Sequence, residues 1–143
     1  EGNIGPFRHL LENIPDVDVI NHWIPESEID ELFQQGDILV LPYTSASQSG
    51  VIPIAASLGM PVIATHTGGI PEQIEDGVSG WLVPPGNVTA LVGAIKDVID
   101  HPEMARQRSA ALKTRYESNF NWDEIGVRVG ESLRKAMQAG GRV

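Results

Sequence analysis

Short apolar runs alternate with amphipathic stretches along this chain, and the alternation sets the expected elements. Asp37-Ile38-Leu39-Val40-Leu41-Pro42 is a continuous apolar run closed by a proline, which predicts a buried strand stopped at Pro42. Pro61-Val62-Ile63-Ala64-Thr65 predicts the next strand, and Trp81-Leu82-Val83 a short one. Val17-Asp18-Val19-Ile20 is an earlier strand candidate, ending near His22-Trp23-Ile24. Between these runs the spacing changes to that of helices. Pro6 to Glu12 predicts a short helix, with Pro6 suited to its first turn. Glu26 to Gln35 carries Ile29, Leu32 and Phe33 at helical spacing among acids. Gly50 to Leu58 is small and apolar, a helix for close packing on a sheet, ended by Gly59.

Thr67-Gly68-Gly69-Ile70-Pro71 predicts a turn leading into a short helix over Glu72 to Glu75. Another turn follows at Asp76 to Gly80. Asn87 is a good N-cap for a helix that puts Leu91, Ala94, Ile95 and Val98 on one face. His101-Pro102 separates it from a helix over about 103–118. Asn121-Trp122 opens a last helix, with Ile125, Val129 and Leu133 expected inward. Strands alternating with helices predict an α/β domain built on a parallel sheet. In such sheets ligands bind beyond the carboxyl ends of the strands. That singles out three loops: His22 to Pro25, Tyr43 to Gly50 and His66 to Pro71.

Composition and charge narrow the choice of partner. The chain has 143 residues, 41% hydrophobic and 20% charged, an ordinary composition for one folded domain. Its net charge is -9, unevenly spread: up to Ile95 the only Lys or Arg is Arg8, against 12 acids. The remainder carries nine bases and seven acids. An acidic N-terminal two-thirds argues against a nucleic-acid partner, which needs clustered bases. Between Ile38 and Pro71 there is no Asp, Glu, Lys or Arg, the signature of buried parallel strands and the loops leaving them. There are no cysteines, which excludes disulfides and thiolate metal sites and fits a reducing, cytoplasmic setting. No apolar run approaches the ~18 residues of a membrane span. The chain opens on Glu1 rather than Met.

The most informative loop is Tyr43-Thr44-Ser45-Ala46-Ser47-Gln48-Ser49-Gly50, polar and uncharged, between a strand and a helix N-terminus. Such a terminus presents backbone N–H groups and a partial positive charge, a setting for phosphate. Ser47 and Ser49 add hydroxyls there; equally, these serines could serve only to cap the helix. Gly68-Gly69 is a second tight turn, which alone reads as structural. His66 beside it can donate a hydrogen bond, and a lone loop histidine is more often incidental. No G-x-G-x-x-G and no G-x-x-x-x-G-K-[ST] occurs, so the common dinucleotide and NTPase readings lack their motifs. His9, His22 and His101 have no carboxylate spacing that suggests a metal site. Asn87-Val88-Thr89 matches a glycosylation sequon but is accounted for as a helix cap.

Taken in order, the segments resemble the C-terminal domain of GT-B glycosyltransferases, specifically the retaining family 4, group 1. The resemblance rests on Gly2-Asn3-Ile4-Gly5-Pro6, His22-Trp23-Ile24-Pro25, Gly36 to Pro42, Gly59 to Thr65, Gly68-Gly69-Ile70-Pro71-Glu72 and Gly77 to Gly86, with Phe120-Asn121-Trp122 at the close. It covers roughly residues 2 to 125. It implies a Rossmann-like parallel sheet flanked by helices, the C-terminal half of a GT-B architecture. One nucleotide-sugar-binding domain would fill 1–143, with the first strand and the N-terminal acceptor domain upstream. The implied substrate is a nucleotide diphosphate sugar; no cofactor and no metal are implied.

By the same resemblance, the helix N-terminus at Ser49-Gly50-Val51-Ile52 receives the diphosphate. Trp23 and Ile24 lie near the base, and Gly68 and Gly69 shape the pocket wall. Ser47, Gln48 and His66 complete the donor-binding set, with Gln48 the one candidate for a catalytic role. The family's acceptors, glycans or lipid-linked molecules, would reach the site through the N-terminal domain, and membrane association is common among its members. One departure stands out. The family usually has two glutamates separated by seven residues in this region, and here the positions are Ser47 and Ala55 in one register or Ala46 and Ile54 in the other. A Ser-Gln-Ser-Gly loop stands in their place, where Gln48 can bond a sugar or ribose hydroxyl. The family's phosphate-neutralising Arg and Lys would fall upstream of Glu1, so the chain alone is expected to bind donors weakly and to catalyse nothing. The competing reading is a non-catalytic GT-B relative that binds a nucleotide or a protein partner. A flavodoxin-like receiver domain needs an acidic cluster and a lysine at the strand ends, which Tyr43 to Pro71 lacks.

Overall fold

The computed structural model describes residues 4–11, 14–119 and 122–140. It divides into two compact units, Glu1–Gly36 and Asp37–Val143. The first unit carries a 3-10 turn at Gly5–Phe7, helix α1 (Arg8–Leu11) and helix α2 (Glu26–Gln34). Pro6 sits in the opening turn, as its fixed φ favours. Ile29, Leu32 and Phe33 are the half-buried positions of α2, while its acids are exposed. The expected strand at Val17–Ile20 is not formed. Val17, Val19 and Ile20 lie outside any helix, strand or turn and are 41–50% exposed. A strand exists by pairing, and among the described residues none pairs with this segment.

The second unit contains strands β1 (Leu39–Leu41), β2 (Val62–Thr65) and β3 (Trp81–Val83), parallel in the order β1-β2-β3. Leu39, Val40 and Leu41 pair with Val62, Ile63 and Ala64, and Ile63, Ala64 and Thr65 with Trp81, Leu82 and Val83. Central β2 is buried along its whole length. The helices follow: α3 (Val51–Leu58), α4 (Ile70–Gln73), α5 (Val88–Asp100), α6 (Pro102–Asn119) and α7 (Trp122–Gly140). The short α4 begins two residues earlier than the Glu72 expected, because Pro71 and its neighbour are already in the first turn. Asn87 caps α5 as expected, its side chain accepting from Ala90 N at 3.0 Å. Ala94 and Val98 of α5 join Ile63, Trp81 and Val83 in the core, with Leu91 and Ile95 packed beside them. Ala55 and Ala56 of α3 are fully buried, which is what lets this helix approach its neighbours closely.

The last helix departs from expectation. Val129 and Leu133, expected inward, are 53% and 60% exposed, as are their neighbours Val127 and Met137 at 62% and 78%. Ile125 lies outside the residues whose side chains are described. Helical periodicity establishes that α7 has an apolar face; it carries no information about what covers that face.

Candidate functional site

The loops that leave β1 and β2 lie side by side, and their backbones interlock. Thr65, the last residue of β2, donates through Oγ1 to the Tyr43 carbonyl at 2.6 Å, tying down the start of the first loop. Further along, Gly69 N donates to the Ser47 carbonyl at 2.9 Å. Gly68 has a φ of +51°, and a Cβ on it would stand 1.6 Å from the Ala46 carbonyl oxygen. A Cβ on Gly69 would stand 2.2 Å from the Ser47 oxygen. Only glycine permits both the left-handed conformation and this approach. The paired glycines thus form a backbone seam with Ala46-Ser47.

Ser49 closes the other end of the loop. It is 3% exposed, and each of its polar groups is engaged within the chain. Its N–H donates to Gln73 Oε1 at 2.8 Å, its carbonyl accepts from Gln73 Nε2 at 3.0 Å, and its hydroxyl lies 3.2 Å from the Tyr43 hydroxyl. Gln73 Nε2 also donates to the Tyr116 hydroxyl of α6 at 3.2 Å. Because a peptide N–H only donates and a carbonyl only accepts, the two Ser49 bonds fix which way the Gln73 carboxamide faces. Burial pushes the Tyr116 phenol above its ordinary pKa of 10.0, against the opposing effects of the Gln73 hydrogen bond and the Arg115 charge.

Gly50 is the N-cap of α3 and makes no side-chain capping bond; Val51 begins the helix, and Ile52 is fully buried with its side chain in the core. Gln48 stands exposed between the two pinned residues Ser47 and Ser49. His66 continues the ladder, its N–H donating to the Val83 carbonyl at 2.8 Å, with its residue exposed. The structure therefore brings Ser47, Ser49, Gly68 and Gly69 together. Trp23 and Ile24 belong to the first unit. Trp23 is 84% exposed, and Ile24 with His22, Glu28 and Glu31 lines a cleft of about 260 Å³ there.

Two cations of α6 are committed within the fold. Arg115 Nη2 donates to the Glu72 carbonyl at 2.9 Å, and Arg108 lies 4.2 Å from the Trp81 ring centroid in a cation–π contact. No charged residue occurs in either loop. Among the described residues, no three His, Cys, Asp or Glu side chains gather where they could hold a metal ion, and no helix is long and apolar enough to cross a membrane.

Two side chains that tie down the first loop escaped the sequence reading. Gln73 and Tyr116 sit 24 and 43 residues from the groups they bond, on helices whose periodicity says nothing about a loop. A glutamine one turn past a Gly-Gly loop carries no signal of its own.

Comparison with known proteins places the chain. Residues 4–101 match the family of glycosyl transferases group 1, and the chain belongs to that family. It is 30% identical over 133 residues to a D-inositol 3-phosphate glycosyltransferase of Paenarthrobacter aurescens, covering 92% of this chain and 32% of that protein. Among solved structures, sucrose-phosphate synthase of Thermosynechococcus elongatus superposes with a TM-score of 0.80 at 26% identity, over 94% of this chain and 34% of the other. Anabaena HepE, solved in complex with UDP-glucose, gives 0.74 at 25% identity over 90% of this chain and 34% of that one. The fold is thus the Rossmann-like α/β layer of GT-B glycosyltransferases, corresponding to their C-terminal domain. The chain spans about a third of the length of the relatives it matches.

Proposed function

We propose that residues 1–143 form the nucleotide-sugar-binding domain of a glycosyltransferase that moves a sugar from a nucleotide diphosphate to an acceptor hydroxyl with retention. The observation that carries this reading is the interlocked pair of strand-end loops opening onto the α3 N-terminus. It is a rigid, uncharged seat at the place where parallel α/β sheets bind ligands. The likeness over 90% of the chain to a protein solved with UDP-glucose supports the same ligand class. The Gly50 and Val51 backbone would receive the diphosphate, worth about 0.3–1 kcal/mol from the helix dipole when exposed, while the full burial of Ile52 takes it out of the expected set. Ser47 and Gln48 would face the sugar. In the reaction the bond from the anomeric carbon to the diphosphate oxygen breaks and one to the acceptor oxygen forms on the same face, the acceptor's proton passing to the departing diphosphate and from there to water. Electrostatic support of the departing diphosphate is the domain's main catalytic contribution. Acceptor, be it glycan or lipid-linked, and any contact with a membrane surface fall to the rest of the protein.

The glutamate pair usual in the family bears on a second reading. In the Ser47/Ala55 register the second position is fully buried. The Ala46/Ile54 register leaves both positions partly accessible, so it is the one in which such side chains could meet a ligand. Neither holds an acid, and this favours, as the alternative, a non-catalytic relative that binds a nucleotide or a protein partner.

The test is an NMR titration of the chain with UDP, GDP and ADP and their sugar conjugates. Binding near a millimolar constant, about 4 kcal/mol, with shifts at Ser47, Gly50 and Gly68 is expected. Shifts confined to other residues would remove the site. Binding without turnover by any protein carrying this chain, across a broad donor panel, would favour the non-catalytic reading.

A further inference from the structure

The Gln73 carboxamide occupies an unusual position: it pairs with both the N–H and the carbonyl of one residue, Ser49, as a neighbouring strand would. Its second amide hydrogen goes to Tyr116 on α6. All three of its bonds are therefore placed, and they link the loop after β1 to helices α4 and α6. Ser47, two residues earlier, is fixed from the same side by Gly69. The loop is pinned at both ends, with Gln48 exposed between the pins and the α3 N-terminus directly following. Ser49 is nearly inaccessible, so its N–H is not a group a ligand can use without displacing Gln73.

We propose that Gln73 is a positioning residue for the donor loop, its carboxamide holding the Ser49 peptide in the conformation that presents Gln48 and the Gly50 and Val51 N–H groups to a nucleotide diphosphate. This rests on the donor-binding reading above and adds to it a residue outside the loops. Its physical basis is preorganisation: a loop already in its bound conformation spends no affinity on ordering. Ligand contact falls to neighbouring residues, so the effect of Gln73 on binding passes entirely through the Ser49 backbone.

The experiment compares the wild-type chain with Gln73→Met, which keeps the side-chain length and removes all three hydrogen bonds. UDP, GDP and ADP are the probes, titrated by NMR at a temperature where both proteins are folded. The expected result is at least a fivefold weaker affinity for the best-bound nucleotide in Gln73→Met, with the free-state resonances of Gln48, Ser49 and Gly50 displaced. Equal affinity in the folded variant would reduce Gln73 to a stabilising contact and overturn the proposal, while leaving the donor site standing. Absence of nucleotide-induced shifts in the wild type at any attainable concentration removes the donor site itself, and the proposal with it. Amide exchange supplies a check that needs no variant. The Ser49 amide should exchange slowly in the free chain and stay protected with nucleotide bound. Exchange at the rate of an open loop, or loss of protection on binding, would refute the clamp even if Gln73→Met failed to fold.

Discussion

Val17-Asp18-Val19-Ile20 and Val62-Ile63-Ala64-Thr65 are both short runs of strand-forming residues, yet only the second is a strand. β2 has a parallel neighbour on either side and is buried along its whole length. The first segment pairs with nothing among the described residues and keeps its apolar side chains about half exposed. β propensity expresses fit to a partner surface more than an intrinsic backbone preference. What separates the two segments is the company each keeps.

The contrast can be broken or sharpened by substitution. The largest effect is expected where the second unit joins backbone to backbone. Gly68→Ala puts a methyl into the Ala46 carbonyl and an L side chain at φ +51°, and urea unfolding should show a loss of about 4 kcal/mol. A loss under about 1 kcal/mol would mean that the two loops part easily. Ile63→Ala in β2, fully buried between both neighbours, should cost about 3 kcal/mol through lost burial and the cavity left behind.

A smaller, pH-dependent effect belongs to Tyr116. With its folded pKa raised, the folded chain keeps a phenol proton that the unfolded chain releases near 10.0, so stability should fall as the pH rises above that value. Tyr116→Phe should flatten that part of the alkaline stability profile; an unchanged slope would mean the phenol is not shielded. The smallest effect is expected from Val19→Ala, about 0.5 kcal/mol or less, since the residue is half exposed. A loss matching that of Ile63→Ala would show that Val17–Ile20 is covered in solution after all.

These differences also mark what the sequence could tell. The strands of the second unit were legible because continuous apolar runs end in proline or glycine signals, and α5 because Asn87 and its stripe agree. The loops after β1 and β2 were legible for the same reason, since topology puts them there, whereas His22 to Pro25 follows no strand. Val17–Ile20 and the outward face of α7 were misread through one gap: periodicity names a face or a run without naming its partner. The Gln73 clamp was invisible for a different reason. It joins residues 24 and 43 positions apart through polar groups that, taken singly, look like ordinary surface chemistry. The Gly68-Gly69 pair was seen as a turn, but the closeness of Ala46 and Ser47 that makes glycine necessary is a property of the folded chain alone.

The seam between the two loops uses carbonyl oxygens and an amide hydrogen and borrows nothing from the side chains of Thr44, Ser45, Ser47 or Gln48, all of which are exposed. Those four positions can therefore be randomised in the laboratory without moving the frame on which they are displayed. Two glycines act as the fixed hinge plate of an otherwise rewritable surface. A library built on residues 44, 45, 47 and 48 should retain folded members at high frequency, whereas one built on 68 and 69 should return glycine almost every time.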